Sequence, residues 1–238
     1  MRWIRLLAVL TAIVGILMFA LSGTGTRLGL WHFRTGLTLI RYAAYVGIAA
    51  IVLSLIAMAA SKPRGAALAA LVLSLLAGVV TFGVPYSFSK KARAVPPIHD
   101  ITTDPDNPPL FVAVLPLRAS ASNSAEYAGD SIAQLQRAAY PDVQPLQSAL
   151  PAPAMFARAR DAANAMGWEI VATDSLAGRI EATATTTWFG FKDDVVVRVQ
   201  ASGAGSRVDV RSVSRVGRSD VGANAARIRV YLKRLPIS

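Results

Sequence analysis

At 238 residues, with 53% hydrophobic residues and only 16% charged ones, the chain is too apolar for an ordinary globular protein and points to membrane spans. A formal charge of +11 would suit a nucleic-acid binder, but all fourteen acidic residues lie between Asp100 and Asp220, while the first ninety-nine residues hold ten Lys and Arg and no acid. The basicity therefore belongs to segments that flank a bilayer, no nucleic-acid partner is expected, and the lack of cysteine excludes disulfides, thiolate nucleophiles and zinc–thiolate sites.

In chain order, residues 3–22, 36–60 and 65–86 are apolar runs that each meet the roughly 20-residue requirement for crossing a bilayer. The first lacks a small-x-small cleavage pattern near its end and reads as an uncleaved anchor. The second and third are joined only by Ser61-Lys62-Pro63-Arg64, which predicts a tight antiparallel hairpin. Small residues recur along both, at Ala43, Gly47, Ala50, Ser54 and Ala57, then at Ala67, Ala70, Ser74, Ala77 and Thr81. Such stripes let helix backbones approach closely within lipid. No Asp, Glu or His lies inside the runs, so they read as an anchor and not as a transport path.

Arg2, Arg5, Lys62 and Arg64 would face one side of the membrane, and Arg27, Arg34, Arg41, Lys90, Lys91 and Arg93 the other. The start of the first span usually dominates orientation, which predicts a cytoplasmic N-terminus and a C-terminal domain in the periplasm of a bacterial inner membrane. The expected division is residues 1–93 as a three-helix transmembrane anchor and residues 94–238 as a soluble α+β domain. His32, among Trp31, Phe33 and Arg34, reads as a headgroup-level residue.

Beyond Arg93, prolines at 96, 97, 105, 108 and 109 predict an extended passage. A surface loop over 120–127 and a short helix over 130–140 follow. The pattern then predicts a helix over 153–166 and strands over 168–173, 179–188, 194–201 and 207–216, with hairpin-length links. A last helix over 221–234 is capped by Ser219 or Asp220. This order predicts a small two-layer α+β domain, a four-stranded antiparallel meander flanked by helices packed on one face. Ile180, Ala182 and Ala184 share a face with Val195, Val197, Val199, Val208 and Val210. The opposite face, with Arg179, Glu181, Thr183, Asp194, Arg198, Asp209, Arg211 and Arg215, reads as solvated, with cross-strand charge pairs.

Three stretches are candidates for chemistry. His99 stands beside Asp100, Asp104 and Asp106, hard donors that a metal or an acid–base site needs; the same aspartates also suit turns ahead of prolines. Arg211, Arg215, Arg218, Ser219 and Asn224 lead into the last helix, where free N–H groups and arginines bind anions; Asp220 there competes for those groups. Trp188, Phe189 and Phe191 form an aromatic hairpin tip that would touch membrane or partner, or cap the core. No nucleophile-elbow serine, phosphate loop or HExxH motif occurs, so no catalytic residue is assigned and no cofactor is expected.

The stretches IHDITTDPDNPPLF, Tyr140-Pro141-Asp142, GWEIVATDSLAGRIEATATTTWFGFKDDVVVRV and RVDVRSVSRVGRSDVGANAARI resemble a bacterial and plastid family known as domain of unknown function 1499. The resemblance covers about residues 96–235, and with its spans the chain looks like the long membrane-anchored form. It implies a small α+β domain and an envelope or lumenal location, and it carries no activity and no catalytic residues. The expected function is that of a non-enzymatic envelope protein whose domain binds a partner protein, a lipid headgroup or a small anion. The alternative is a metal-assisted or acid–base enzyme centred on His99, Asp100, Asp104 and Asp106.

Overall fold

A computed structural model describes residues 2–236 and divides into two compact units. One comprises the residues up to Lys91 together with Thr187–Gly190; the other comprises Ala92–Thr186 and the chain from Phe191 onward.

The first unit is built on α1 (Arg2–Arg27), α2 (Phe33–Ser61) and α3 (Ala66–Ala94), each long and apolar enough to cross a membrane. All three outlast the apolar runs that announce them, and α3 continues through Pro85. At 1.5 Å per residue they are about 39–44 Å long, against a ~30 Å hydrocarbon core. Leu, Ile and Val side chains cover the outer faces, and the buried positions of α1 and α2 are all small. The small-residue stripe expected on the second helix is the buried one. On the third, Ser74 and Thr81 are buried as expected, but Leu71 and Gly78 complete the line in place of Ala67, Ala70 and Ala77.

Backbones meet where α2 crosses α3. A Cβ on Gly47 would stand 2.9 Å from the Gly78 carbonyl oxygen, and one on Gly78 would stand 2.7 Å from that of Gly47. No larger residue fits either position without moving a helix. Arg5, embedded near the start of α1, donates to the Ser61 hydroxyl at 2.8 Å and to its carbonyl at 3.1 Å. It thereby satisfies one of the free carbonyls at the end of α2.

The second unit is an antiparallel sheet with helices. Its strands are β1 (Asp100–Thr102), β2 (Leu146–Ser148), β3 (Glu169–Asp174), β4 (Arg179–Thr185), β5 (Lys192–Ser202) and β6 (Gly205–Ser214). The four long strands form the expected meander, but the sheet has six strands, not four. β1 and β2 both pair with the outer edge of β6, β2 along its first half and β1 along its second. Each is three residues long, too short to leave a period-2 signal.

Three helices, α4 (Asp130–Ala139), α5 (Ala152–Ala165) and α6 (Ala223–Leu232), match the expected ones to within a few residues. α5 and α6 cover the face bearing Ile180, Ala182, Val195, Val197, Val199, Val208 and Val210, where Met155, Ala159, Ala225 and Ile228 complete the main core. Trp168 stacks on Tyr231 there at 4.9 Å, and the Tyr231 hydroxyl donates to the Ala159 carbonyl at 2.8 Å, joining α6 to α5. Gln136 of α4 grips Thr102 of β1, accepting from its N–H at 2.9 Å and donating to its carbonyl at 2.6 Å.

The other face corrects an expectation. The charged face of the meander is not solvated: Glu181, Thr183, Asp194, Asp209 and Arg211 are all buried. Residues 103–127 run across it as an irregular strap, with one short helical turn at Pro116–Arg118. Beneath the strap Phe111 and Val114 pack on Val196 and Val213 in a second, smaller core. The sheet is thus covered on both sides, one layer helical and one irregular.

Candidate functional site

An irregular segment buried on a sheet brings backbone N–H and C=O groups that need partners. Here the charged side chains of the sheet supply them. The Glu181 carboxylate accepts from the amides of Val112, Ala113 and Val114 at 3.0–3.1 Å and pairs with Arg179 Nε at 3.1 Å. Arg211 has no solvent exposure and lies between the rings of Phe111 and Tyr127, 5.1 and 5.4 Å from their centroids. Its guanidinium is bidentate to Asp100 at 2.7 and 3.0 Å and also donates to the carbonyls of Pro109 and Ala125. Burial and the adjacent Asp100 push the Tyr127 hydroxyl up to about 12.

Two further knots hold the strap. Asp194 accepts from Arg118 at 2.6 Å, from Arg215 at 2.8 and 2.9 Å and from the Thr183 hydroxyl at 2.8 Å. Burial works to raise its pKa, but the hydrogen bonds from Arg215, Thr183 and Arg118 prevail and hold the carboxyl below the ordinary 3.8. Asp209 is shared by Arg198 and Arg207, and both arginines also reach Asp104.

The candidate residues fall as follows. Asp100 faces Arg211, Asp104 faces Arg198 and Arg207, and Asp106 faces Arg137 at 2.6 Å. Half-buried His99 places Nδ1 3.4 Å from the Arg218 carbonyl oxygen. Among the described residues, no three His, Asp or Glu side chains gather as a metal site. Of the anion-site candidates, Arg211 and Arg215 point into the strap layer. Asn224 is fully buried on the helix side, bonded to Ser212, Ser214 and the His99 carbonyl. Ser219 caps the Val221 amide. Asp220 accepts from the amides of Gly222 and Asn224 at the start of α6; burial leads and leaves its carboxyl raised. Arg218 is exposed and has no carboxylate partner among the described residues. Of the aromatic tip, Phe189 is buried and Trp188 and Phe191 are partly buried.

Two clefts on this unit bear on the candidate residues. One of about 340 Å³ lies between the end of α5 and α6, lined by Trp168, Thr185, Ala226 and Arg227. Its cation is engaged, since Arg227 pairs with Asp193 at 2.5 Å. The other, of about 300 Å³, is polar and has Asp104, Asp106, Arg137, Tyr140 and Arg207 in its wall, with the four charges paired among themselves and with Asp209.

What the sequence reading passed over is the outer side of the strap. Leu110, Val112, Leu115 and Leu117 are 71, 51, 47 and 52% exposed, four large apolar side chains within eight residues. Between them Phe111 and Val114 point inward into the small core, and Arg118, just past the run, turns onto Asp194. Glu181 fixes this in-and-out arrangement by holding three successive amides. The signal was present as the run PPLFVAVLPL, uncharged and bracketed by prolines.

A family model described as "Protein of unknown function (DUF1499)" matches residues 100–235. No curated protein and no solved structure matches the chain.

Proposed function

This chain belongs to the DUF1499 family of proteins of unknown function, and from that premise we propose a membrane-anchored binding module. Its three long helices anchor it in a bilayer, and a soluble α+β domain over residues 94–238 presents the 110–117 crest to an apolar segment of another protein at the same membrane. The observation that carries this reading is the crest itself. Contiguous exposed apolar side chains on a folded domain mark interaction surfaces, and here they stand on a backbone already fixed by Glu181, so docking costs little further ordering.

Charge supports a protein occupant over a headgroup. Residues 107–117 contain no Asp, Glu, Lys or Arg, whereas surfaces that lie on anionic lipid are rimmed with Lys and Arg. The engagement of Asp100, Asp104 and Asp106 with three different sets of arginines favours binding over catalysis, and no cofactor enters the reading.

A photo-crosslinking residue at Val112 or Leu117 of the full chain, expressed in its native membrane, tests it. The expected result is one discrete protein adduct that disappears in a Leu115→Asp background. The same probe at the exposed Leu135 or Leu176 gives no such adduct. Adducts to lipid only, or none, overturn the proposal. The accompanying location, a bacterial inner membrane with the domain in the periplasm, predicts that a C-terminal alkaline phosphatase fusion is active and a β-galactosidase fusion is not; the reverse pattern refutes it.

A further inference from the structure

The turn between β4 and β5 ends in Thr187–Gly190, and these four residues group with the helices. Trp188 lies along α1: its ring centroid is 4.7 Å from that of Phe19, and its indole N–H donates to the Ala20 carbonyl at 3.4 Å. It occupies the space over Gly23, where a Cβ would fall 2.4 Å from the indole. Phe189 reaches Gly36 of α2, whose Cβ would stand 3.0 Å from its ring, and the Arg27 guanidinium donates to the Thr187 carbonyl. At the same end of the helices, Trp31 packs over Gly25 and donates to the Ser22 carbonyl at 3.3 Å.

The depth of this tip follows from the helix it touches. Ala20 is seven residues before the end of α1 at Arg27, a rise of about 10 Å. The polar layer on each side of the hydrocarbon core is roughly 5–8 Å thick. A side chain packed against Phe19–Gly23 therefore stands where headgroups meet acyl chains, between the level of Arg27 and the apolar body of the helix. Tryptophan is the residue enriched at that level, because its ring is apolar and its N–H is not. Partly exposed Trp188, with its N–H already satisfied by Ala20, presents the remainder of its ring to that layer.

We propose that Trp188, on a tip seated against α2 by buried Phe189, is a lipid-contacting residue that lies at the headgroup–acyl boundary beside α1. The proposal rests on the membrane-spanning reading of these helices, and its test separates the two. The full chain is placed in phosphatidylcholine–phosphatidylglycerol vesicles with Trp3, Trp31 and Trp168 replaced by Phe, leaving Trp188 as the sole indole. Lipids brominated near the carbonyls or near the acyl ends, and water-borne iodide, serve as quenchers. Shallow bromines remove most of the emission, deep bromines remove less, and iodide has little effect. A second chain carries Trp188→Phe and Leu10→Trp, its sole indole on the outward face of mid-α1.

If the Leu10→Trp probe is quenched by deep bromines and Trp188 answers only to iodide, the tip proposal is overturned and the spanning reading stands. If neither answers to brominated lipid, the spanning reading itself fails. Should the Trp168→Phe change prevent folding, the comparison is made in a chain that keeps Trp168, buried in the main core, and carries only Trp3→Phe and Trp31→Phe. Trp188→Phe then abolishes the shallow-bromine component of quenching, and persistence of that component overturns the proposal.

Discussion

Replacing Glu181 by Gln keeps the size of the side chain and removes its charge. The carboxylate now serves three successive amides and Arg179. A carboxamide has one acceptor oxygen, so its NH₂ group must face either the Val114 amide or the amides of Val112 and Ala113, donor against donor. At least one buried N–H then lacks a partner, at about 1–3 kcal/mol, and the remaining bonds lose their charge assistance, which roughly doubles a bond's strength. Relief of carboxylate desolvation offsets part of this, and a net loss of ~3 kcal/mol is expected, at the low end for breaking a buried ion pair. For a unit of this size that lowers the melting temperature by about 10 °C. The sharper assay is amide exchange in the full chain in lipid. The Val112, Ala113 and Val114 amides should exchange up to about 100-fold faster, while amides in β5 stay protected. Glu169→Gln, exposed on β3, is the control and leaves both unchanged. Equal exchange at 112–114 in both variants would refute the claim that Glu181 holds the crest.

Arg211→Met removes the bidentate partner of Asp100 and leaves that carboxylate buried and unpaired. It should cost about 3–5 kcal/mol in denaturant unfolding, whereas the double change Asp100→Leu with Arg211→Met should recover most of that loss. Asp194, held below 3.8 in the folded chain, contributes stability that is fully present above the unfolded-state value of about 3.9. That contribution is lost as pH falls through the lower folded value, so Asp194→Asn should flatten the acid limb of a stability–pH curve below pH ~4. Gly47→Leu or Gly78→Leu should force α2 from α3 at a cost of about 1–3 kcal/mol, read as a lower unfolding temperature in detergent, with Leu substitution at exposed Val79 as the neutral control.

Much of this architecture is legible in the residues because it depends on local periodicity. The three long apolar helices follow from length and apolarity, the α2 stripe from small residues at helical spacing, and the long strands from alternation. The buried strap face is not legible for the same reason. A strand with charges at alternate positions has one pattern whether those charges meet water or meet the N–H and C=O groups of a covering loop. Glu181 and Asp194 therefore read as solvated residues, and only the tertiary fold discloses that Glu181 holds the amides of residues 112–114 and Asp194 holds Arg118. β1 and β2 escape because three residues cannot show a period. The His99–Asp106 cluster, read from proximity along the chain, disperses in space because adjacent His99 and Asp100 point opposite ways on extended backbone and the chain bends after β1, which gives Asp104 and Asp106 arginine partners of their own.

The proposed occupancy of the crest is open to a direct measurement. Carbene footprinting compares the chain in native membranes with the purified chain in lipid vesicles. Leu110, Val112, Leu115 and Leu117 should label severalfold less in native membranes, with Leu176 labelling equally in both. Equal labelling of the crest in the two preparations would show that nothing covers it.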